Sequence, residues 1–197
     1  MKERLIIVGS GRCVWEDLEQ LHTRTHKEIF DDVMCINDMI MYYPGNIAHC
    51  VSCDAPMLPK WWAARRPPYQ SAFSNPVRFH SVSTYEGIRG VELHDFQGGG
   101  TSGLLACKVA IDLGYNDIIL CGVPIDNSGH FWEAPWGKTN FQREIADLTG
   151  RVRGDGRRYW TKANEKWFDG KIKSMSGNTR LILGAPKGFD EKIADCR

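Results

Sequence analysis

No apolar run in these 197 residues approaches the roughly 20 needed to cross a bilayer. The opening residues, MKERLIIVGSG, carry too short an apolar stretch for a secretory leader and no small-residue cleavage site. The expectation is therefore no membrane span and a cytoplasmic location. Charge of one sign is also lacking: 25 Lys and Arg against 24 Asp and Glu leave a formal net charge of +1. That removes any global pull towards nucleic acid or acidic lipid. A second CxxC is missing. Cys50 and Cys53 stand as one pair after His49, whereas a zinc site would want a matching pair. A thioredoxin-type pair would want a helix start, and IAHCVSCD reads as a strand. Cys35, Cys107 and Cys121 fall in apolar segments, as small core residues do. The full GxGxxG fingerprint is absent too, because Val14 stands where the third glycine would fall. That argues against a complete dinucleotide site and leaves a shorter phosphate turn or a plain βα turn.

What is present centres on Gly98 to Asp126. It reads as a glycine-rich loop, an amphipathic helix, a tight turn, a buried strand and a second loop. Thr101 or Ser102 can cap the helix. Leu104, Leu105, Val109, Ile111 and Leu113 give it an apolar stripe. A loop feeding a helix N-terminus offers unused N–H groups and a positive dipole end, which suits phosphate or carboxylate. Ser102 and Gly103 are its candidate ligand-binding residues.

Elsewhere the pattern repeats strand, turn, helix. Arg4 to Val8 is a strand followed by the turn Gly9-Ser10-Gly11 and a helix marked by Val14, Leu18 and Leu21. Val33 to Ile36 is a second strand ending in Asn37-Asp38, and Ile47 to Cys53 a third ending in Asp54. Polar residues at such strand ends fall where open α/β sheets hold ligands. Pro56 to Tyr69 reads as a short helix with Trp61, Trp62, Arg65 and Arg66, either a Trp-Arg surface that stacks on a base or sugar or a helix packing its indoles on the sheet edge. Val77 to Ser83 is a fourth strand, Ser81 to Phe96 is irregular, and Ile118 to Cys121 is the fifth strand. The loop from Gly122 to Thr139 gathers Asp126, Asn127, His130, Trp132, Glu133 and Trp136. A loop of that length in a compact domain is usually functional. Phe141 to Leu148 reads as a helix, and Arg151, Arg153, Arg157 and Arg158 form a local basic patch. Ala163 to Ile172 reads as another helix. Then Ser174, Ser176 and Arg180, within KSMSGNTR, fit an anion-binding turn or a simple helix cap.

The ordered set VGSG, CIND, VSCD and TSGLLACKVAIDLGYNDIILCGVPID resembles a Rossmann-like group. This group contains the bacterial sialyltransferases that use a CMP-linked sugar and the DUF115 proteins. The chain is also similar to small uncharacterised phage and prophage proteins, which implies the cytoplasm of a bacterial host. The resemblance covers roughly residues 4 to 126. It implies an α/β fold with a mostly parallel central sheet of about five to six strands flanked by helices. Residues 1–149 would form that core, and 150–197 a helical extension packed on it within a single domain. Carried over, Gly9-Ser10-Gly11 is the turn that meets the nucleotide and Asn37 is the family's asparagine; Asp38 beside it joins Asn37 as a candidate ligand for the donor. Ser102-Gly103 opens the anion-binding helix. The family's downstream histidine has no counterpart, because no histidine follows His130. Phe131, Trp132 and Trp136 stand where the family has tyrosines.

The expected function is thus transfer from a nucleotide-activated sugar. Asp126 or His130 would take the acceptor's proton, and Ser174, Ser176 and Arg180 would steady the leaving phosphate. No metal is required for that scheme, yet Asp38, Asp54 and Asp126 could hold Mg²⁺. A pyrophosphokinase or nucleotide hydrolase, and a nucleotide-sequestering protein without catalysis, stand as alternatives. The acceptor stays open, with phage DNA a candidate through the arginine run, and so does homo-oligomer formation.

Overall fold

Strand β1 (Arg4–Val8) is the centre of the molecule because it is apolar on both faces. Leu5 and Ile7 join one buried cluster while Ile6 and Val8 join the other, as strand alternation requires. Helix α1 (Val14–Arg24) covers the second face with Val14, Leu18 and Leu21. The first face is covered by a helix much later in the chain. The computed structural model describes residues 4–24, 32–65, 76–83, 89–96, 101–126, 129–133 and 156–189.

Strand β2 (Asp32–Ile36) lies beside β1 in parallel, with Ile6 opposite Val33. Short helix α2 (Met39–Tyr42) leads to β3 (His49–Val51). A 3₁₀ turn (Ala55–Met57) and helix α3 (Leu58–Ala63) follow, then β4 (Arg78–Val82) and β5 (Val91–His94). Helix α4 (Ser102–Asp112) supplies the missing cover, burying Leu104, Leu105, Val109 and two alanines against β1 to β4. Strand β6 (Asp117–Cys121) returns beside β1, with Ile119 opposite Ile6. Helix α5 (Gly156–Ala163) runs on into a π turn (Asn164–Phe168), then β7 (Ile172–Ser174) and helix α6 (Gly177–Leu183).

The sheet order is β5-β4-β3-β2-β1-β6-β7, and all neighbours are parallel. This is an α/β, Rossmann-like arrangement, with seven strands where five or six were expected. Two expectations fail for a common reason. Ser81 to Phe96 is not irregular throughout, because Val91–His94 forms the edge strand β5. Residues 150–197 are more than a helical extension, because Ile172–Ser174 adds β7 to the same sheet. Both strands are three or four residues long. Runs as short as VELH and IKS carry too little apolar alternation to stand out.

Arg65 is not a surface residue. Its guanidinium is buried, bonding the carbonyls of Ile40 and Gly45 beside the Trp62 ring. Trp62 packs edge-on against Phe79 of β4, as expected for an indole on the sheet. The glycine run 98–100, Asn127, Trp136, the expected helix 141–148, Arg151 and Arg153 lie outside the described residues.

Candidate functional site

The chain leaves β1 and turns to one side for β2, whereas β6 lies on the other side of β1. The two routes diverge at the C-terminal ends of these strands, and such a divergence opens a crevice. Here the crevice is a cavity of about 470 Å³, within the range of small-molecule sites. Four segments wall it: Gly9–Gly11 after β1, Ile36-Asn37 after β2, Thr101–Gly103 at the start of α4, and Gly122–Asp126 after β6. Gly129, His130 and Glu133 close a further side. The structure thus brings together Gly9, Ser10, Gly11, Asn37, Ser102, Gly103, Asp126 and His130. Between Gly9 and Asp126 lie more than a hundred residues of chain.

The glycines of the first turn have a steric reason to be there. A Cβ at Gly11 would sit 2.7 Å from the Gly122 carbonyl and 2.5 Å from Pro124 Cδ. A Cβ at Gly122, which has φ +66°, would sit 2.4 Å from the Gly9 carbonyl. The two loops therefore touch backbone to backbone, tied by Gly9 N–H to Cys121 O and Gly11 N–H to Gly122 O. Gly9 and Gly11 spend their N–H groups on that contact. Of the three turn residues, Ser10 is the one that offers the cavity a side chain.

Ser10 Oγ is 2.7 Å from His130 Nδ1. The segment carrying His130 is latched to the turn by Arg12 N–H to Gly129 O and Phe131 N–H to Ser10 O. Phe131 is held edge-on between Trp15 and Tyr42, each at 5.2 Å between centroids. His130 itself stacks flat on Trp132 at 5.1 Å, and its own N–H reaches Glu133 Oε2 at 3.1 Å. When Nδ1 carries the proton and donates to Ser10, Nε2 has a lone pair for an incoming proton. In that tautomer the ring can accept a proton at the exposed edge of the cavity.

On the opposite wall, Ser102 Oγ accepts from Cys53 N–H at 3.0 Å, and its hydroxyl also faces the Cys53 thiol. Thr101 occupies the N-cap position of α4 but its side chain makes no capping bond. The first N–H groups of a helix lack partners within the helix, and here they lie at the cavity. Beside them, Trp160 is fully buried and its Nε1 has no hydrogen-bond partner. Its Cζ2, two bonds from that nitrogen, lies 3.2 Å from where a Gly103 Cβ would stand. A buried, unmatched N–H costs about 1–3 kcal/mol.

Asn37 adopts φ 54° at the end of β2, a conformation that asparagine tolerates better than most residues. Its Oδ1 accepts from Ser52 Oγ at 2.8 Å. Ile125, another cavity residue, has φ 47°. For a β-branched side chain that conformation is strained. It is held by α6: Asn178 bonds the Pro124 and Ile125 carbonyls, and Thr179 Oγ1 bonds the Val123 carbonyl at 2.6 Å.

The other expected site residues lie elsewhere. Asp38 is outside the cavity lining and accepts from Trp132 Nε1 at 2.8 Å. Ser174, Ser176 and Arg180 are buried behind the cavity wall. Ser174 Oγ bonds Thr179 Oγ1, Ser176 Oγ donates to Asp17, and Arg180 bonds the carbonyls of Met175 and Phe189. They build the frame that supports the loop after β6 rather than facing a ligand. Among the described residues, Asp38, Asp54 and Asp126 do not come together as a ligand set. Cys50 is buried and burial pushes its thiol up to about 12, which suits a core residue and not a redox one.

Asp17 is the residue that sequence reasoning missed. It is 1% exposed and accepts from Gly122 N–H at 2.8 Å and Ser176 Oγ at 2.7 Å. Burial raises its pKa to about 6 against those two bonds, which pull it down. The signal was available, because position 17 falls on the apolar stripe marked by Val14, Leu18 and Leu21. The Val123–Ile125 carbonyl run was likewise hidden in a loop without motif character.

Comparison with known proteins gives no match to any family model, curated protein or solved structure. What the cavity does must be argued from its own chemistry.

Proposed function

We propose that the protein is a glycosyltransferase-like enzyme that binds a nucleotide-activated sugar in the cavity at the C-terminal edge of the sheet. The observation that carries this reading is the Ser10–His130 hydrogen bond facing the open N-terminus of α4. A base stands on one wall and anion-binding groups stand on the other. The donor's phosphates would sit against the Ser102 hydroxyl and the first N–H groups of α4, where a helix dipole favours negative charge. An acceptor hydroxyl would lie next to His130 Nε2. As its oxygen bonds the anomeric carbon, the carbon–oxygen bond to phosphate breaks. The acceptor proton passes to His130, and the leaving nucleotide departs as an anion held by α4. Asn37 and Asp126 would orient the donor.

The test has two stages. Thermal-shift and calorimetric titration with CMP, UDP, GDP and ADP and their sugar conjugates should find one that raises Tm, because a ligand of the folded state stabilises it. No shift with any of them refutes the reading. With that donor, His130→Ala should lower transfer kcat by about 10²–10⁴-fold while donor Kd stays within a few fold. A nucleotide bound tightly and recovered unchanged with every acceptor makes the protein a sequestering one. Release of AMP or ADP from ATP with Mg²⁺ makes it a pyrophosphokinase or hydrolase.

A further inference from the structure

A second chemical centre lies on the β4–β5 edge and shares no residue with the cavity. In register, His80 stands opposite Glu92 and Val82 opposite His94. Side chains two apart on a strand share a face, so His80, Glu92 and His94 gather on one side of the sheet. His80 Nδ1 is 3.1 Å from His94 Nε2 and 3.7 Å from Glu92 Oε2. One ligand atom from each lies within 4.8 Å of the others. Ligand atoms bonded at about 2.0–2.1 Å around a tetrahedral ion stand roughly 3.3 Å apart. The observed spacings bracket that value.

The protonation of this cluster follows from its neighbours. Asp32, as a carboxylate, can only accept, so Tyr115 donates its hydroxyl to Asp32. The Tyr115 oxygen then accepts from His49 Nε2–H at 3.1 Å. His49 Nδ1 in turn accepts from His80 Nε2–H at 3.0 Å. His80 is left with its Nδ1 lone pair aimed at His94 and Glu92. On the far side, His94 Nδ1 lies 4.0 Å from Asp112 Oδ2. A proton on that nitrogen frees Nε2 as a ligand. His80 thus has a hydrogen-bonded partner for its other ring nitrogen, the support that metal-bound imidazoles use, whereas Asp112, paired with Lys108 at 2.8 Å, stands too far from His94 Nδ1 to bond it. Glu92 keeps both oxygens against Arg78, at 2.6 and 2.7 Å, and each oxygen has a second lone pair.

We propose that His80, Glu92 and His94 form a binding site for a divalent transition ion of the zinc class. Two imidazoles and a carboxylate suit zinc and its late first-row neighbours, whereas Mg²⁺ and Ca²⁺ prefer all-oxygen sites. His80 is fully buried, His94 is 15% exposed and Glu92 44%, so the ion is reached from the Glu92 side. A fourth position stays open to water. The ion fastens β5, the edge strand, to β4 through side chains in addition to the ladder.

The full chain, stripped with EDTA, is titrated with Zn²⁺ by calorimetry and with Co²⁺ by visible absorption. The expected result is one equivalent bound, a tetrahedral cobalt spectrum and a raised Tm. His94→Ala should abolish all three. Glu92→Gln, at a half-exposed position that tolerates change, should weaken binding by at least about tenfold. Absence of binding by the wild type overturns the proposal. So does binding whose affinity in both Glu92→Gln and His94→Ala equals that of the wild type, which would place the ion elsewhere.

Discussion

Asp17→Asn should remove the pH dependence that one buried carboxyl imposes on the whole fold. In the native state Asp17 is enclosed, and burial holds its proton up to about pH 6. In the unfolded chain the proton leaves near the ordinary value of 3.8. Between those values the folded state binds more protons than the unfolded state. Stability is therefore fully present below 3.8 and is lost as pH rises through 6. About two decades at 1.36 kcal/mol each make a loss of about 3 kcal/mol by neutral pH. Asparagine cannot ionise, and its single carbonyl oxygen can accept from both Gly122 N–H and Ser176 Oγ. The assay is urea unfolding of both proteins at steps from pH 3.5 to 7.5. His80 acts with opposite sign: burial first and His49 second lower it to about 3, so its contribution grows as pH rises from 3 and is complete above 6.5. That contribution is common to both proteins and cancels in the difference. The difference should open by about 3 kcal/mol in favour of Asp17→Asn between pH 4 and 7. Parallel curves would refute the reasoning.

Gly122→Ala should destabilise by at least about 2 kcal/mol, because its positive φ and its contact with the Gly9 carbonyl both reject a Cβ; an unchanged denaturation midpoint would contradict the backbone contact. Trp160→Phe keeps the ring and removes the unmatched N–H. Without ligand it should be neutral or stabilising by about 1 kcal/mol, and with the cognate nucleotide it should bind more weakly. A nucleotide affinity unchanged from the wild type would show that the indole N–H has no ligand to meet.

Much of this fold was legible because its apolar periodicity is local. Arg4–Val8 matches the expected strand, α4 begins at Ser102 although the Thr101 side chain makes no cap there, and Ile118 to Cys121 lies within β6. Half of the cavity was legible for a related reason, since strand ends in parallel sheets share one side. Gly9–Gly11, Asn37, Ser102-Gly103, Asp126 and His130 all converge there. The failures fall where a residue's role depends on a distant partner. Ser174, Ser176 and Arg180 look like an anion turn in sequence, yet their partners are Thr179, Asp17 and the Met175 and Phe189 carbonyls. Asp17 looks like an ordinary helical acid until Gly122 and Ser176 enclose it.

The sequence by itself determined the alternation of strand and helix, the apolar faces and the presence of polar strand ends, because these follow from spacing along the chain. Tertiary structure alone decided which glycines exist for a neighbouring backbone and which serine faces the cavity. It also decided that His49, His80 and His94 form one line. Those three histidines are 31 and 14 residues apart in the chain. Only the parallel register of β3, β4 and β5 sets their rings within hydrogen-bonding distance, and no local pattern encodes a register between strands.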